Sequence, residues 1–290
     1  MWAIIGGTGF ERSDAVSPLE ELDRTTPFGS ASSGLKRVRV GEHEALFLPR
    51  HGSQHELLPS EINYKANIFA LKQYGATRIV SISAVGSLKK ELEPGHMVVP
   101  SQYIDRTKGM RPHTFGGQGM VAHVSLAHPV SPLLSSALLE IAPELEGTVH
   151  FSETYVCIEG PYFSTQAESH TYRQMGATII GMTNFPEFAL AREAGIAYLP
   201  CCFVTDYDCW DDSIPHVTVE GVLLQMKKNN QLAFSMVPRL MNHCASMKTY
   251  DTPCQVSCAG IAAGLMTPRD HLSATQQHVL EVLSRGQSQS

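Results

Sequence analysis

The chain has 290 residues and a formal net charge of −6, with 43% hydrophobic and 17% charged side chains. These are globular proportions that exclude a disordered chain, and the acidic balance argues against nucleic acid, whose partners show a basic surface. No apolar run reaches 18 residues, so no membrane partner is expected.

The opening MWAIIGGTGF lacks a charged n-region and runs into glycines, so no signal peptide is expected. Seven cysteines, an odd number, lie mostly in apolar surroundings and read as reduced thiols of a cytoplasmic protein. Cys254 and Cys258 are spaced C-x3-C, but no second pair or nearby histidine cluster completes a zinc site, so no metal is expected.

In chain order, apolar runs of strand length alternate with helix-like stretches. Residues 2–5 form a short apolar run ending in Gly6-Gly7-Thr8-Gly9, and residues 44–48 form another, stopped by Pro49. Residues 60–74 read as a helix capped by Ser60 and ended by Gly75. Residues 79–83 are apolar and lead into Ala84-Val85-Gly86; Pro94-Gly95 then marks a turn before the run 97–99. Residues 131–141 look helical, 154–158 look like a strand, and 166–175 read as a helix closed by Gly176. Residues 179–181 are a further strand candidate, and Pro186 suits the first turn of the next helix. The run 197–204 then leads to VTDYDCW. Val219, Val222, Leu223 and Met226 have amphipathic helix spacing, carried on by Ala233, Met236, Val237 and Leu240 to about residue 242. Past residue 243 the chain turns irregular, with one more helix at 274–283 behind Ser273 and a frayed end. The alternation predicts an α/β fold: a single domain, residues 1–243, with a central mixed β-sheet flanked by helices. Residues 244–290 are expected as a C-terminal extension packing on it.

The chemistry-bearing residues follow the strands. Asp206 and Asp208 are two apart, so an extended strand end would aim both carboxylates at one ligand, such as a purine base; the plainer alternative is an Asx turn. The loop Gly6–Phe10 fails the dinucleotide pattern, because Arg12 stands where the last glycine belongs. It can still offer backbone N–H groups and Thr8 to an anion, or be an ordinary tight turn. Arg50 offers a planar fork to phosphate oxygens and His51 a further donor, just past a strand end; a surface salt bridge is the alternative. SISAVGS (81–87) has the small residues that close backbone approach to a ligand needs, or that tight packing needs. Thr183 stands at a helix N-terminus, which favours anions, unless it merely caps. Each signal is weak singly. Together, Thr8, Arg50-His51, Ser83-Ala84 and Thr183 follow four separate strands and suggest one phosphate site, with the acidic pair facing a base.

The sequence resembles the 5′-methylthioadenosine phosphorylases of the trimeric purine nucleoside phosphorylase family. The resemblance lies in IIGGTGF (4–10), TPFGSAS (26–32), PRHGSQHELLPSEINYKANIFALKQYGA (49–76), AVGSL (84–88), PGHMVVPSQYIDRT (94–107), YVCIEGPYFSTQAES (155–169), GMTNFPEFALAREAGI (181–196) and VTDYDCW (204–210). It implies the nucleoside phosphorylase fold and phosphorolysis of S-methyl-5′-thioadenosine to adenine and 5-methylthioribose 1-phosphate. It implies no cofactor, inorganic phosphate as co-substrate, and a homotrimer or a dimer of trimers. Carried over position by position, it makes Thr8, Arg50, His51, Ser83, Ala84 and Thr183 the phosphate ligands. Phe163 becomes the ring stacked on the purine, and Met182 a floor for base and ribose. Asp206 becomes the catalytic acid at N7, with Asp208 near the 6-amino group, and Ser164 and Tyr207 complete the substrate set. Val219, Val222 and Leu223 become the apolar pocket for the 5′-methylthio group, joined by His123 of a neighbouring subunit.

Tyr162 stands where the family usually has Arg, Ser101 where it usually has Asp, and the tail beyond residue 244 departs from the pattern. These departures bear on tolerance at the 5′ position more than on reaction type. Two other functions are weighed: a phosphorylase for 6-oxopurine nucleosides, against which a carboxylate facing O6 argues, and a non-catalytic nucleoside-binding protein.

Overall fold

A computed structural model describes residues 1–6, 16–213, 218–247 and 260–286. In chain order the strands are β1 (Trp2–Gly6), β2 (Val16–Glu21), β3 (Thr25–Thr26), β4 (Gly29–Ser30), β5 (Lys36–Val40), β6 (His43–Pro49), β7 (Arg78–Ser87), β8 (Met97–Arg106), β9 (Val149–Ile158), β10 (Ile179–Gly181) and β11 (Ala197–Asp206). The α-helices are α1 (Tyr64–Gln73), α2 (Pro132–Ile141), α3 (Gln166–Gln174), α4 (Asn184–Glu193), α5 (Val219–Ser246) and α6 (Ala274–Leu283).

Nine strands form one mixed sheet in the order β10-β9-β8-β11-β7-β1-β6-β5-β2, and β3-β4 form a small separate hairpin. β10 pairs with β7 as well as β9, so β7, β11, β8, β9 and β10 close into a ring. β1, β6, β7 and β11 run parallel, which brings their carboxyl ends to one edge, where open α/β sheets hold ligands. These central strands are near-continuous apolar runs because helices cover both faces. On one face α2 and α5 contribute Leu134, Leu138, Met236, Val237 and Leu240 to the core. On the other, α1, α4 and α6 contribute Phe69, Leu71, Leu190, Val279 and Leu283. A third cluster, with Val98, Tyr155, Cys202 and Val204, fills the ring.

Several boundaries differ from the sequence reading. α1 begins at Tyr64, because Asn63, not Ser60, accepts from the Ala66 N–H, while residues before it turn through a Glu61 N–H to Leu58 carbonyl bond. β8 continues past its apolar start to Arg106, since the ladder to β9 holds it and not burial. β2 and β5 carry no apolar run: β2, at the sheet edge, is exposed past Val16, and β5 beside it alternates, burying Val38 and Val40 between charged side chains. α5 is buried only from Asn229 onward, so Val219, Leu223 and Leu224 of its first turns stand about 60% exposed. Among the described residues, no helix is long and apolar enough to cross a membrane.

Candidate active site

A cavity of about 430 Å³ opens at the carboxyl edge of the parallel strands, a volume that suits a small ligand. It collects residues from six places in the chain. Arg50 and His51 follow β6; Ser83, Ala84 and Gly86 belong to β7; Phe163 and Ser164 follow β9; Met182 and Thr183 follow β10; Asp206 ends β11, with Asp208 just beyond; Val222 and Met226 lie on α5. Ser83 and Gly86 stand three strand residues apart, about 10 Å, which leaves room for a sugar between the two ends of the cavity.

At one end Arg50 is 1% exposed. Its Nε donates to Glu187 Oε2 at 2.6 Å and its Nη2 to Glu187 Oε1 at 2.9 Å. Nη2 also donates to Ser81 Oγ at 2.7 Å and Nη1 to the Ile82 carbonyl at 3.1 Å. The ion pair is therefore buried, not on the surface, and the guanidinium fork is spent on Glu187. Arg50 can offer a ligand its charge and one remaining Nη1 hydrogen, not a bidentate grip.

His51 also differs from the donor expected. Its Nδ1 lies 2.9 Å from the Leu57 carbonyl, which can only accept, so Nδ1 carries the hydrogen. Burial pushes the ring's pKa down to about 4, so it is neutral and its Nε2 is an acceptor, suited to a hydroxyl or a protonated phosphate oxygen. Thr183 occupies the N-cap position of α4, yet its side chain makes no capping bond, so capping is not what employs its hydroxyl. Ser83 Oγ donates to Cys202 Sγ at 3.5 Å.

At the other end the two acids meet, though not by strand alternation. β11 stops at Asp206, and Asp208 sits in a turn with φ +52°. The Asp208 N–H donates to Asp206 Oδ1 at 2.8 Å, so the Asx turn exists and itself builds the acidic pair. Thr205 Oγ1 donates to Asp206 Oδ2 at 2.7 Å. Asp208 is 6% exposed and its Oδ2 is buried with no partner among the described residues, which leaves it for a ligand donor. Trp210 Nε1 donates to the Ser87 carbonyl at 3.0 Å and pins this loop to β7, while Arg173 stacks 3.8 Å from the Trp210 ring.

Burial raises both carboxyl pKa values, that of Asp208 to about 6 with help from the nearby Asp206 charge. A folded pKa above the unfolded value of about 3.9 means that folding favours the protonated acid. The Asp208 contribution to stability is then complete below about pH 4 and lost as pH rises through 6, a change of about 3 kcal/mol. Asp208→Asn is expected to flatten this part of the profile: melting temperatures against pH should show the wild type losing more stability than the variant between pH 4 and 7. Parallel curves would contradict the assignment.

Gly86 is the close-approach residue in the SISAVGS stretch. A Cβ there would lie 2.9 Å from Asp206 Oδ1 and 3.0 Å from Ile180 Cγ2. Gly86→Ala is therefore expected to push the Asp206 carboxylate off its Asp208 N–H bond, lowering kcat/KM about tenfold or more. Steady-state kinetics on the purified variant checks this, and unchanged kcat/KM would show that Asp206 tolerates the shift.

Of the residues named from sequence, Arg50, His51, Ser83, Ala84, Phe163, Ser164, Met182, Thr183, Asp206, Asp208 and Val222 line this one cavity. Four others do not line it within the single chain. Tyr207 donates through its hydroxyl to the Lys90 carbonyl at 3.3 Å; Val219 and Leu223 stand in solvent; the His123 N–H donates to the Gly264 carbonyl at 3.0 Å. Thr8, Cys254 and Cys258 lie outside the described residues. Tyr162 is 61% exposed and accepts from Lys108 Nζ at 2.7 Å, outside the cavity. Sequence reasoning missed Glu187 and Thr205, whose roles depend on partners distant in the chain or on the strand end; the one local hint is an acid inside the otherwise apolar stretch of α4.

The model of the phosphorylase superfamily matches residues 2–241. The S-methyl-5′-thioadenosine phosphorylase of Geobacter sulfurreducens is 46% identical over 234 residues, 81% of this chain and 82% of its own. That of Thermosynechococcus vestitus is 42% identical over 285 residues, 97% of this chain and 96% of its own. Among solved structures, a methylthioadenosine phosphorylase from an antarctic soil metagenomic library superposes with a TM-score of 0.89 at 42% identity, covering 97% of this chain and 98% of that one. The Schistosoma mansoni methylthioadenosine phosphorylase in complex with adenine gives 0.85 at 34% identity, covering 91% and 98%. The chain belongs to the phosphorylase superfamily and, within it, to the methylthioadenosine phosphorylases.

Proposed function

We propose that this chain cleaves S-methyl-5′-thioadenosine with inorganic phosphate, releasing adenine and 5-methylthioribose 1-phosphate. The observation that carries this reading is one cavity with a buried acid pair, Asp206 and Asp208, at one end and Arg50, His51 and Thr183 at the other. Adenine leaves poorly as an anion. Asp206, its pKa raised by burial, is placed to hold a proton at N7, and the unpartnered Asp208 Oδ2 to accept from the 6-amino group. The sugar then develops oxocarbenium character, which the phosphate held at the other end stabilises before bonding to C1′. Holding phosphate and nucleoside together contributes several kcal/mol, up to about 7–11 in the best intramolecular cases.

In this reading phosphate is a co-substrate and neither metal nor organic cofactor takes part. Val222 and Met226 receive the 5′-methylthio group. The same reading takes the protein as a cytoplasmic homotrimer. Exposed Val219, Leu223 and Leu224 on α5 leave an apolar face beside the cavity for a neighbouring subunit to cover, with His123 supplied from that subunit. The free thiols of Cys157, Cys201, Cys202, Cys209 and Cys244 suit a reducing compartment.

The test is release of the free base measured with and without phosphate, adenine from methylthioadenosine and hypoxanthine from methylthioinosine and inosine. Phosphate-dependent release of adenine in preference to hypoxanthine is expected. Faster turnover of the inosines would favour the 6-oxopurine reading, and ligand-induced stabilisation without turnover would favour a binding protein.

A further inference from the structure

Arg111 is 3% exposed and does not line the cavity, yet it holds the backbone of both segments that flank the ligand space. Its Nη1 donates to the carbonyls of Met182 and Phe185, each at 2.7 Å, with Tyr64 Oη 3.3 Å away. Its Nη2 donates to the Glu159 carbonyl at 2.9 Å and reaches the Ile158 carbonyl at 3.5 Å. Its Nε donates to Glu159 Oε1 at 2.7 Å, and the other carboxylate oxygen accepts from the Lys108 N–H at 2.9 Å. The carbonyls of Met182 and Phe185 bracket Thr183. Ile158 ends β9 and Glu159 follows it, just before the loop that carries Phe163.

The two segments also touch directly. Gly160 packs against Met182: a Cβ there would lie 2.5 Å from the Met182 sulfur and displace that side chain, and the φ of +70° itself favours glycine. Thr183 takes no capping bond from its own helix, and its backbone is not helical, with φ −126° and ψ −15°. Its place is therefore set by its neighbours, two of whose carbonyls end on one guanidinium.

We propose that Arg111 is a positioning residue for this reaction: it fixes Thr183 and Met182 against the loop bearing Phe163, and so sets the spacing between phosphate and nucleoside. This rests on the phosphorolytic reading above. A planar cation with five hydrogens can hold four carbonyls and a carboxylate at fixed angles, which an ammonium cannot. Without it the two segments are free to separate, and the two substrates lose their alignment.

The experiment compares wild type, Arg111→Lys, Arg111→Met and Leu138→Ala, the last a buried α2 residue that lines no part of the cavity and controls for lost stability. Kinetics are run at a temperature well below every melting point, varying phosphate and nucleoside separately. Arg111→Met is expected to lose roughly 10²-fold in kcat/KM for phosphate, since a displacement of about 1 Å costs that much. Arg111→Lys is expected to recover part of that loss, and Leu138→Ala to keep kcat/KM within about threefold despite a lower melting temperature. If Arg111→Met does not fold, Arg111→Lys carries the test alone, through a raised phosphate KM. Wild-type phosphate kinetics in the Arg111 variants, or an equal loss in Leu138→Ala, would overturn the proposal. A wild type without phosphate-dependent adenine release would instead overturn the reading on which it rests.

Discussion

Asp206→Asn is expected to lower kcat for adenine release by roughly 10²–10⁴, the usual worth of a positioned general acid, with little change in stability. The fold accommodates the amide. Its carbonyl oxygen keeps the bond from the Asp208 N–H. Its amino group faces Thr205 Oγ1, whose hydrogen has a second acceptor in the Val85 carbonyl at 3.2 Å. No buried group is left unpaired, so the melting temperature should stay within a few degrees of wild type. What the variant cannot do is deliver a proton to N7. Because the loss lies in the chemical step at the base end of the cavity, the KM for phosphate should change little. Parallel losses in kcat and in phosphate affinity would contradict the role given to this acid. The amide also removes one of the two carboxylates that disfavour a 6-oxopurine, so the ratio of inosine to methylthioadenosine turnover should also rise in the variant.

The acid pair shows how far a sequence reading reaches. The residues were legible and their proximity was legible, but the mechanism of proximity was not. Alternation along a strand and an Asx turn stood as rivals, and the chain uses the turn to make the pair. Arg50 is a similar case. A phosphate fork and a surface salt bridge were the alternatives, and neither anticipates a guanidinium buried against Glu187, 137 residues along the chain. Such pairings are set by sheet order, and local periodicity carries no information about which strand lies next to which. The central strands were visible because burial on both faces forces them to be apolar. β2 was not, because nothing at the edge of a sheet demands such a pattern, and β5 beside it buries only Val38 and Val40 between charged residues, too few to form a run. The helix pattern of α5 was read correctly at Met236 and Leu240, which pack in the core. The same pattern at Val219 and Leu223 meets only solvent in one chain, so periodicity identifies an apolar face without identifying what covers it.

Glu187 is expected to be the most stability-sensitive side chain at the site. It is 2% exposed and its Oε1 accepts from Arg50, from Ser81 Oγ at 2.5 Å and from the Tyr198 hydroxyl at 2.8 Å. Glu187→Gln turns one acceptor oxygen into a donor facing the Arg50 N–H groups and leaves that cation buried without its counter-charge. Breaking a buried pair from one side costs about 3–5 kcal/mol. In a chain of this size the melting temperature should fall by roughly 10 °C. Removing both partners with apolar groups of similar volume, Arg50→Met with Glu187→Leu, is expected to restore only part of that stability: desolvation and attraction are lost together, but the buried Ser81 and Tyr198 hydroxyls lose their acceptor. Activity should not follow stability. The double variant lacks the one positive charge the described residues place at the phosphate end, so its phosphate KM should remain raised by about tenfold or more even when its melting temperature recovers in part. Urea unfolding and phosphate titration on wild type, Arg50→Met, Glu187→Leu and the double variant measure the two quantities separately. A double variant with wild-type phosphate KM would remove Arg50 from the phosphate site and leave the pair as a purely structural brace between β6 and α4.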